Sequence, residues 1–113
     1  MSETRVTDPI TGGQKNSKPE RYDLLPSGAL DEVARVYGVG SQKYETRNWE
    51  RGYAYGLSIA ALERHISLFK QGQDRDTETG LHHLAHAIFH CLALITFIEK
   101  QIGTDDRSKL DRC

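Results

Sequence analysis

The chain has 113 residues, enough for one compact domain and too few for a second. Its 15 lysines and arginines nearly balance 16 acidic side chains, and the net charge of -1 excludes the global field by which a protein attracts a nucleic-acid polymer or an anionic membrane. A hydrophobic fraction of 37% with a mean hydropathy of -0.60 points to a small core, marginal alone, and hence to a homo-oligomer, a dimer or larger.

Residues 1–17 are Gly, Ser, Thr, Asn and charge without a sustained period, which predicts a flexible N-terminal tail. They contain no apolar h-region, so a cytoplasmic protein without a signal peptide is expected. A first helix begins at Ser27, which can cap it, and Leu30, Val33, Ala34 and Tyr37 recur at helical spacing until Gly38 and Gly40 stop it. From Ser41 to Tyr55 the aromatic and basic residues follow no clean period, which predicts an ordered loop pinned by its aromatics. A second helix spans about Gly56 to Gln71, with Ile59, Leu62, Ile66 and Phe69 on one stripe.

After a polar link over 73–80, a long third helix runs from Leu81 to Ile102, with Leu81, Leu84, Ile88, Cys91, Leu92, Ile95 and Ile98 as its apolar face and Cys91 buried. Four histidines interrupt this stretch, so it is no membrane span. Gly103 ends the helix and opens a flexible tail over 103–113. Nothing reads as a strand. The expected fold is all-α: a small bundle of three main helices over a single domain, 18–102, with the ordered aromatic loop, an antiparallel pairing of helices two and three, and completion by oligomerisation.

His83, His86 and His90 fall at i, i+3 and i+7, which places three imidazoles on one stripe of the third helix. Asp76 and Glu78 stand just before it, with Thr79 as a candidate cap, so carboxylate lies beside imidazole as in metal sites. On the second helix Glu63, Arg64 and His65 are consecutive and fan out by about 100 degrees each, so Arg64 and His65 are assigned to the cleft and Glu63 to solvent. The plainer reading makes Asp76 and Glu78 solvated link residues and His82 surface. A second constellation is basic and aromatic: Lys18, Arg21 and Tyr22, then Lys43, Tyr44, Asn48, Trp49 and Arg51. Such cations neutralise phosphate oxygens and such rings stack a base. Zincin, paired-cysteine, P-loop and dinucleotide-binding motifs are all absent, and Cys91 and Cys113 are too far apart for a zinc knuckle.

The series Lys18-Pro19-Glu20-Arg21-Tyr22-Asp23-Leu24-Leu25-Pro26, Lys43-Tyr44, Asn48-Trp49, Arg64-His65, Asp76-Thr77-Glu78-Thr79-Gly80-Leu81 and His83-Leu84-Ala85-His86-Ala87 resembles the phage and prophage dATP/dGTP diphosphohydrolase N-terminal domain family over Lys18 to about Leu94. That resemblance implies a small all-α protein, distantly related to MazG-like nucleotide pyrophosphohydrolases, acting on purine deoxynucleotides in the cytoplasm of an infected or lysogenic cell. MazG-like enzymes hold Mg²⁺ with acids in ExxE and ExxD arrangements and work as dimers or tetramers. Here Arg35 stands where the second acid of ExxE belongs, and His83 and His86 stand where ExxD is expected. Mg²⁺ or Mn²⁺ is the implied divalent ion, but imidazole donors favour Mn²⁺ and other transition metals over Mg²⁺.

On this reading Glu32, Asp76, Glu78, His83 and His86 hold the metal. Lys43 and Arg64 clamp phosphate, Tyr44 or Trp49 stacks the purine, Asn48 joins them in nucleotide binding, and His65, Glu78 and His83 carry catalysis. The reaction is hydrolysis of dATP or dGTP to monophosphate and pyrophosphate. A non-catalytic phage protein that sequesters a nucleotide is the alternative, and a purely structural helical module is a third.

Overall fold

A computed structural model describes residues 3–109. Among them three helices carry the fold: α1 (Ser27–Lys43), α2 (Tyr55–Lys70) and α3 (His83–Lys100). Predominantly helical architecture is therefore as the sequence predicts. α3 is central, packing α2 along one side and α1 along another. Contacts from Ser58 to His90 and from His65 to His83 pair rising numbers in α2 with falling ones in α3, so the two helices are antiparallel.

Two small cores result. Val33 and Val36 of α1 close on Ala85 of α3, with Tyr37, Leu81 and Phe89 around them. Farther along, Phe97 and Ala93 are fully buried against Tyr55, with Trp49, Tyr53, Ile59, Leu94 and Ile102 around them. Trp49 lies in a 3-10 turn, Asn48–Arg51, and its ring sits 5.9 Å from Tyr37, 6.3 Å from Phe89 and 6.4 Å from Phe97. The aromatic loop is thus pinned as expected.

α1 does not stop at the glycines. Gly38 and Gly40 lie inside it, the ladder continuing to the Tyr44 N–H, which donates to the Gly40 carbonyl at 2.9 Å. Two mid-helix glycines cost about 1 kcal/mol each, too little to end a helix held by its packed first turns. Pro26, not Ser27, occupies the capping position, and no side chain caps there.

α3 departs from the sequence reading more deeply. Of the assigned apolar face only Leu81 is packed inward. Leu84, Ile88, Leu92, Ile95 and Ile98 are 40% to 55% exposed, and Cys91 is exposed rather than buried. The face turned to the interior carries His83, Ala85, Ala87, Ala93 and Phe97. Alanines let neighbouring helices approach closely, so the small side chains won the inside and the large aliphatic ones were left out. Residues 84, 88, 91, 95 and 98 alternate in spacings of four and three, the repeat of a helix–helix seam. Ile66 and Phe69 of α2, 42% and 41% exposed, extend the apolar surface.

Two segments of the polar ends are ordered. An antiparallel hairpin joins β1 (Thr4–Thr7) and β2 (Gln14–Ser17), in register from Thr4 opposite Ser17 to Thr7 opposite Gln14. Its turn is an Asx motif in which Asp8 Oδ1 accepts from the N–H groups of Ile10 and Thr11, with Gly12 at φ +78. Val6 is the one apolar side chain in the two strands, so no alternation marks them; the Asp-Pro and Gly-Gly at the turn are their sequence signal.

At the other end Gln101 is left-handed (φ 57), and Gly103 (φ +75) brings the chain back over α2. There the Tyr55 N–H donates to the Thr104 carbonyl at 2.9 Å, the Thr104 N–H to the Tyr53 carbonyl at 3.2 Å, and the Gly56 N–H to Asp106 Oδ1 at 2.8 Å. A Cβ at Gly103 would lie 2.6 Å from the Tyr53 carbonyl oxygen, so no other residue fits. Cys113 lies outside the described residues. Among the described residues no helix is long and apolar enough to cross a membrane.

Candidate metal and nucleotide site

The link between α2 and α3 folds into a tight loop that delivers Asp76 to the helices. The Asp76 N–H donates to the Leu81 carbonyl at 2.8 Å, the Gly80 N–H to the Asp76 carbonyl at 2.8 Å, and the His83 N–H to the Asp74 carbonyl at 2.9 Å. Asp76 Oδ2 accepts from the N–H groups of Glu78 and Thr79 and from the Thr79 hydroxyl, at 3.1, 2.9 and 3.1 Å. Its Oδ1 is left for a ligand. Burial would raise the Asp76 pKa, but the bonds from Thr79 and the nearby His86 and His65 outweigh it and hold the carboxyl below its ordinary value.

Opposite stands a cluster of imidazoles. His65 Nδ1 and His83 Nδ1 face each other at 2.8 Å, both rings buried. His83 Nε2 lies 2.6 Å from Gln73 Oε1, a carbonyl, so it carries the proton and leaves Nδ1 with a lone pair. Without an ion the His65 Nδ1–H donates to it; to hold an ion His65 carries its proton on Nε2 instead, so that the two Nδ1 lone pairs face the ion together. His86 stacks on His65, 4.6 Å between centroids and 5° between planes, and its Nε2 lies 2.7 Å from Thr79 Oγ1. Because the Thr79 hydroxyl proton goes to Asp76, His86 Nε2 is the donor and its Nδ1 lone pair is free.

His65, Asp76 and His83 each offer one atom, all within 4.8 Å of one another, a group able to hold a metal ion. Two imidazoles and one carboxylate suit a transition metal, whereas Mg²⁺ would meet too few oxygens. Gln73 orients His83 from behind, as outer partners of metal-binding histidines do, and Thr79 fixes both Asp76 and His86. Neither was predicted in that role; Thr79 caps no helix, and nothing in the sequence marks Gln73.

The predicted residues divide around this centre. Lys43, Tyr44, Asn48, Trp49 and Arg64 line one cavity of about 800 Å³, a size suited to a nucleotide. His65, Asp76, Glu78 and His86 line it too, while His83 lies behind His65 and is fully buried. Trp49 is committed to the aromatic core, so Tyr44, 59% exposed, is the ring left to stack a base.

Glu78 is well exposed and pairs with Lys43 at 3.5 Å across the cavity mouth, outside the three-residue metal group. Glu32 is placed elsewhere: its Oε1 faces Arg35 at 3.4 Å and Arg75 at 3.8 Å, and its buried Oε2 has no partner. Lys18, Arg21, Tyr22 and Arg51 do not line the cavity; Lys18 pairs with Glu3, Arg21 with Asp23 and Arg51 with Glu45. Glu63 faces solvent as expected, and His82 is half-buried.

Burial pushes His65 down to about 4, helped by the positive neighbours His86, Arg64 and His83, and only Asp76 opposes it. Burial, then His86 and Arg64, likewise pushes His90 to about 4. Burial also lowers His86, against Asp76 and Glu78. Native rings with pKa values below the unfolded 6.5 bind protons less readily than unfolded ones, so their stabilising contribution is full above pH 6.5 and lost as pH falls toward 4. Thermal melts of the metal-free protein are accordingly expected to hold a steady Tm from pH 8 to 7 and drop steeply from 6.5 to 4.

Fold and site together define a small helical domain with an imidazole–carboxylate cluster able to hold a metal at the wall of a nucleotide-sized cavity. The chain belongs to the family described as dATP/dGTP diphosphohydrolase, N-terminal, which matches residues 9–107. It is 38% identical over 98 residues to a "dATP/dGTP diphosphohydrolase" of Salmonella phage PMBT28, covering 87% of this chain and 33% of that protein. The chain thus spans a third of the length of that relative. No solved structure matches.

Proposed function

We propose that this chain binds a divalent transition metal and a purine deoxynucleoside triphosphate in the cavity between α1, α2 and α3, and hydrolyses dATP or dGTP to monophosphate and pyrophosphate. The observation that carries the reading is the convergence of His65, Asp76 and His83 beside a cavity walled by Lys43 and Arg64. His65, Asp76 and His83 would hold the ion, which supplies charge neutralisation at the phosphates and a lowered pKa for water. Arg64, exposed at the cavity wall, clamps phosphate oxygens, and Lys43 exchanges its solvent-screened contact with Glu78 for them. Tyr44 stacks on the purine and Asn48 contacts the nucleotide beside it.

His86, with Nδ1 free and Nε2 fixed by Thr79, is placed to take the proton of the attacking water. Water adds at the α-phosphorus, the bond to the bridging oxygen breaks, and pyrophosphate leaves with the electron pair. His83, fixed by Gln73 and fully buried behind His65, would serve the ion and touches no substrate. The outward seam of α3 supports a homo-oligomer, and the phage relative supports action in the cytoplasm of an infected or lysogenic cell.

Sequestration without turnover is the second reading, supported by a cluster holding a single carboxylate. Purified protein incubated with dATP or dGTP and Mn²⁺, Zn²⁺ or Mg²⁺ is expected to release monophosphate and pyrophosphate, fastest with a transition metal. Nucleotide that stays bound and intact under every metal sinks hydrolysis and leaves sequestration.

A further inference from the structure

Three side chains at the cavity have no part in the chemistry above. The Tyr53 hydroxyl lies 2.6 Å from Ser58 Oγ, and Ser58 Oγ lies 2.8 Å from His90 Nδ1. Ser58 is fully buried, whereas Tyr53 and His90 line the cavity. The hydrogen-bonded chain therefore starts and ends at the cavity, with its middle sealed from water. Among the described residues Glu32 Oε2 is the buried side-chain polar atom without a partner. His90 Nε2 bonds none of the described protein atoms and is open to the cavity.

We propose that His90 reads the purine of the bound nucleotide, and that the Tyr53–Ser58–His90 chain lets it accept adenine and guanine alike by reversing the direction of its hydrogen bonds. This rests on the nucleotide reading of the cavity given above. A phenol, a hydroxyl and a neutral imidazole hold three exchangeable protons, and the two contacts between them use two. The third sits at one end or the other.

In one direction Tyr53 donates to Ser58, Ser58 donates to His90 Nδ1, and Nε2–H is a donor to the cavity. In the other, Nδ1–H donates to Ser58, Ser58 donates to Tyr53, and Nε2 is a bare acceptor. Hydroxyl rotation and the imidazole tautomer change together; the proton count and the charge do not. At position six guanine presents the O6 acceptor and adenine the amino donor. A ring nitrogen fixed as a donor would match only one of them and leave the other with an unpaired polar group. The reversible chain matches both. Burial keeps His90 neutral near pH 7, as the scheme requires.

The test is calorimetric titration of the α,β-imido analogues of dATP and dGTP into wild-type protein and Tyr53→Phe. Without the phenol oxygen, the Ser58 proton has one acceptor left, His90 Nδ1, so Nε2–H is locked as a donor. Binding of the dGTP analogue is expected to stay within about twofold of wild type and that of the dATP analogue to weaken about tenfold, the size of one lost hydrogen bond. Equal weakening of both, or no change in either, overturns the reversible chain and leaves the nucleotide site standing. Wild-type protein that binds neither analogue overturns both readings. Independently of any variant, ¹⁵N shifts of the His90 ring in wild-type protein are expected to report Nε2–H with dGMP bound and Nδ1–H with dAMP bound; the same tautomer with both overturns the proposal.

Discussion

His83→Ala is expected to abolish stoichiometric binding of Mn²⁺ or Zn²⁺ and to destabilise the fold in the same stroke. Its ring is fully buried and holds two partners, His65 Nδ1 and Gln73 Oε1, which the substitution would leave unpaired beside a void. An unsatisfied buried polar group costs about 1–3 kcal/mol and the void adds to that, so urea midpoints should fall by the equivalent of roughly 3–5 kcal/mol. Asp76→Asn separates the two effects. It keeps the shape and an acceptor for the Thr79 bonds but removes the charge, so metal affinity should fall about 100-fold or more while stability falls by about 1 kcal/mol. Wild-type metal stoichiometry in both variants, measured by calorimetry, would remove the cluster from the site.

On the homo-oligomer proposed above, Ile88→Asp combined with Ile95→Asp is expected to yield monomers. Both side chains lie exposed on the outward seam of α3, where the four-and-three spacing fits another helix. Each buried isoleucine contributes about 1.5–3 kcal/mol, and a symmetric interface counts each twice, so the dissociation constant should rise by more than about 10³-fold. Sedimentation equilibrium reads the change, and the far-ultraviolet helical signal should persist because both positions are exposed and lie outside the two buried clusters. Wild-type protein that sediments as a monomer at all concentrations would sink the interface.

The same seam shows how far the sequence carried. Periodicity located three helices, and the step of three and four residues put His83, His86 and His90 toward one side, where the structure finds them with His65. Periodicity could not say which of two apolar faces turns inward. α3 is apolar nearly all round, and the large aliphatic stripe, the stronger signal, is the outward one; the alanines that admit α1 and α2 give a weak signal. Glu32 was drawn to the site by the family's acidic pattern, yet the structure pairs it with Arg35 and Arg75, a choice no spacing rule contains. Gln73, Ser58 and Tyr53 were invisible because a neutral side chain becomes an orienting partner only through tertiary approach. The β1–β2 hairpin was missed because its strands have no apolar side to alternate.

α3 is fastened at both ends by backbone from elsewhere in the chain. At its start the His83 N–H is held by the Asp74 carbonyl, and beyond its end Thr104 is laced to Tyr53 and Tyr55. A helix tethered in this way cannot slip by one turn, about 5.4 Å, along its neighbour without breaking both fastenings. The separation of His65 from His83 is therefore a fixed length, and any breathing that admits or releases a guest must come from the opposite wall, the last turn of α1 and Tyr44 beyond it.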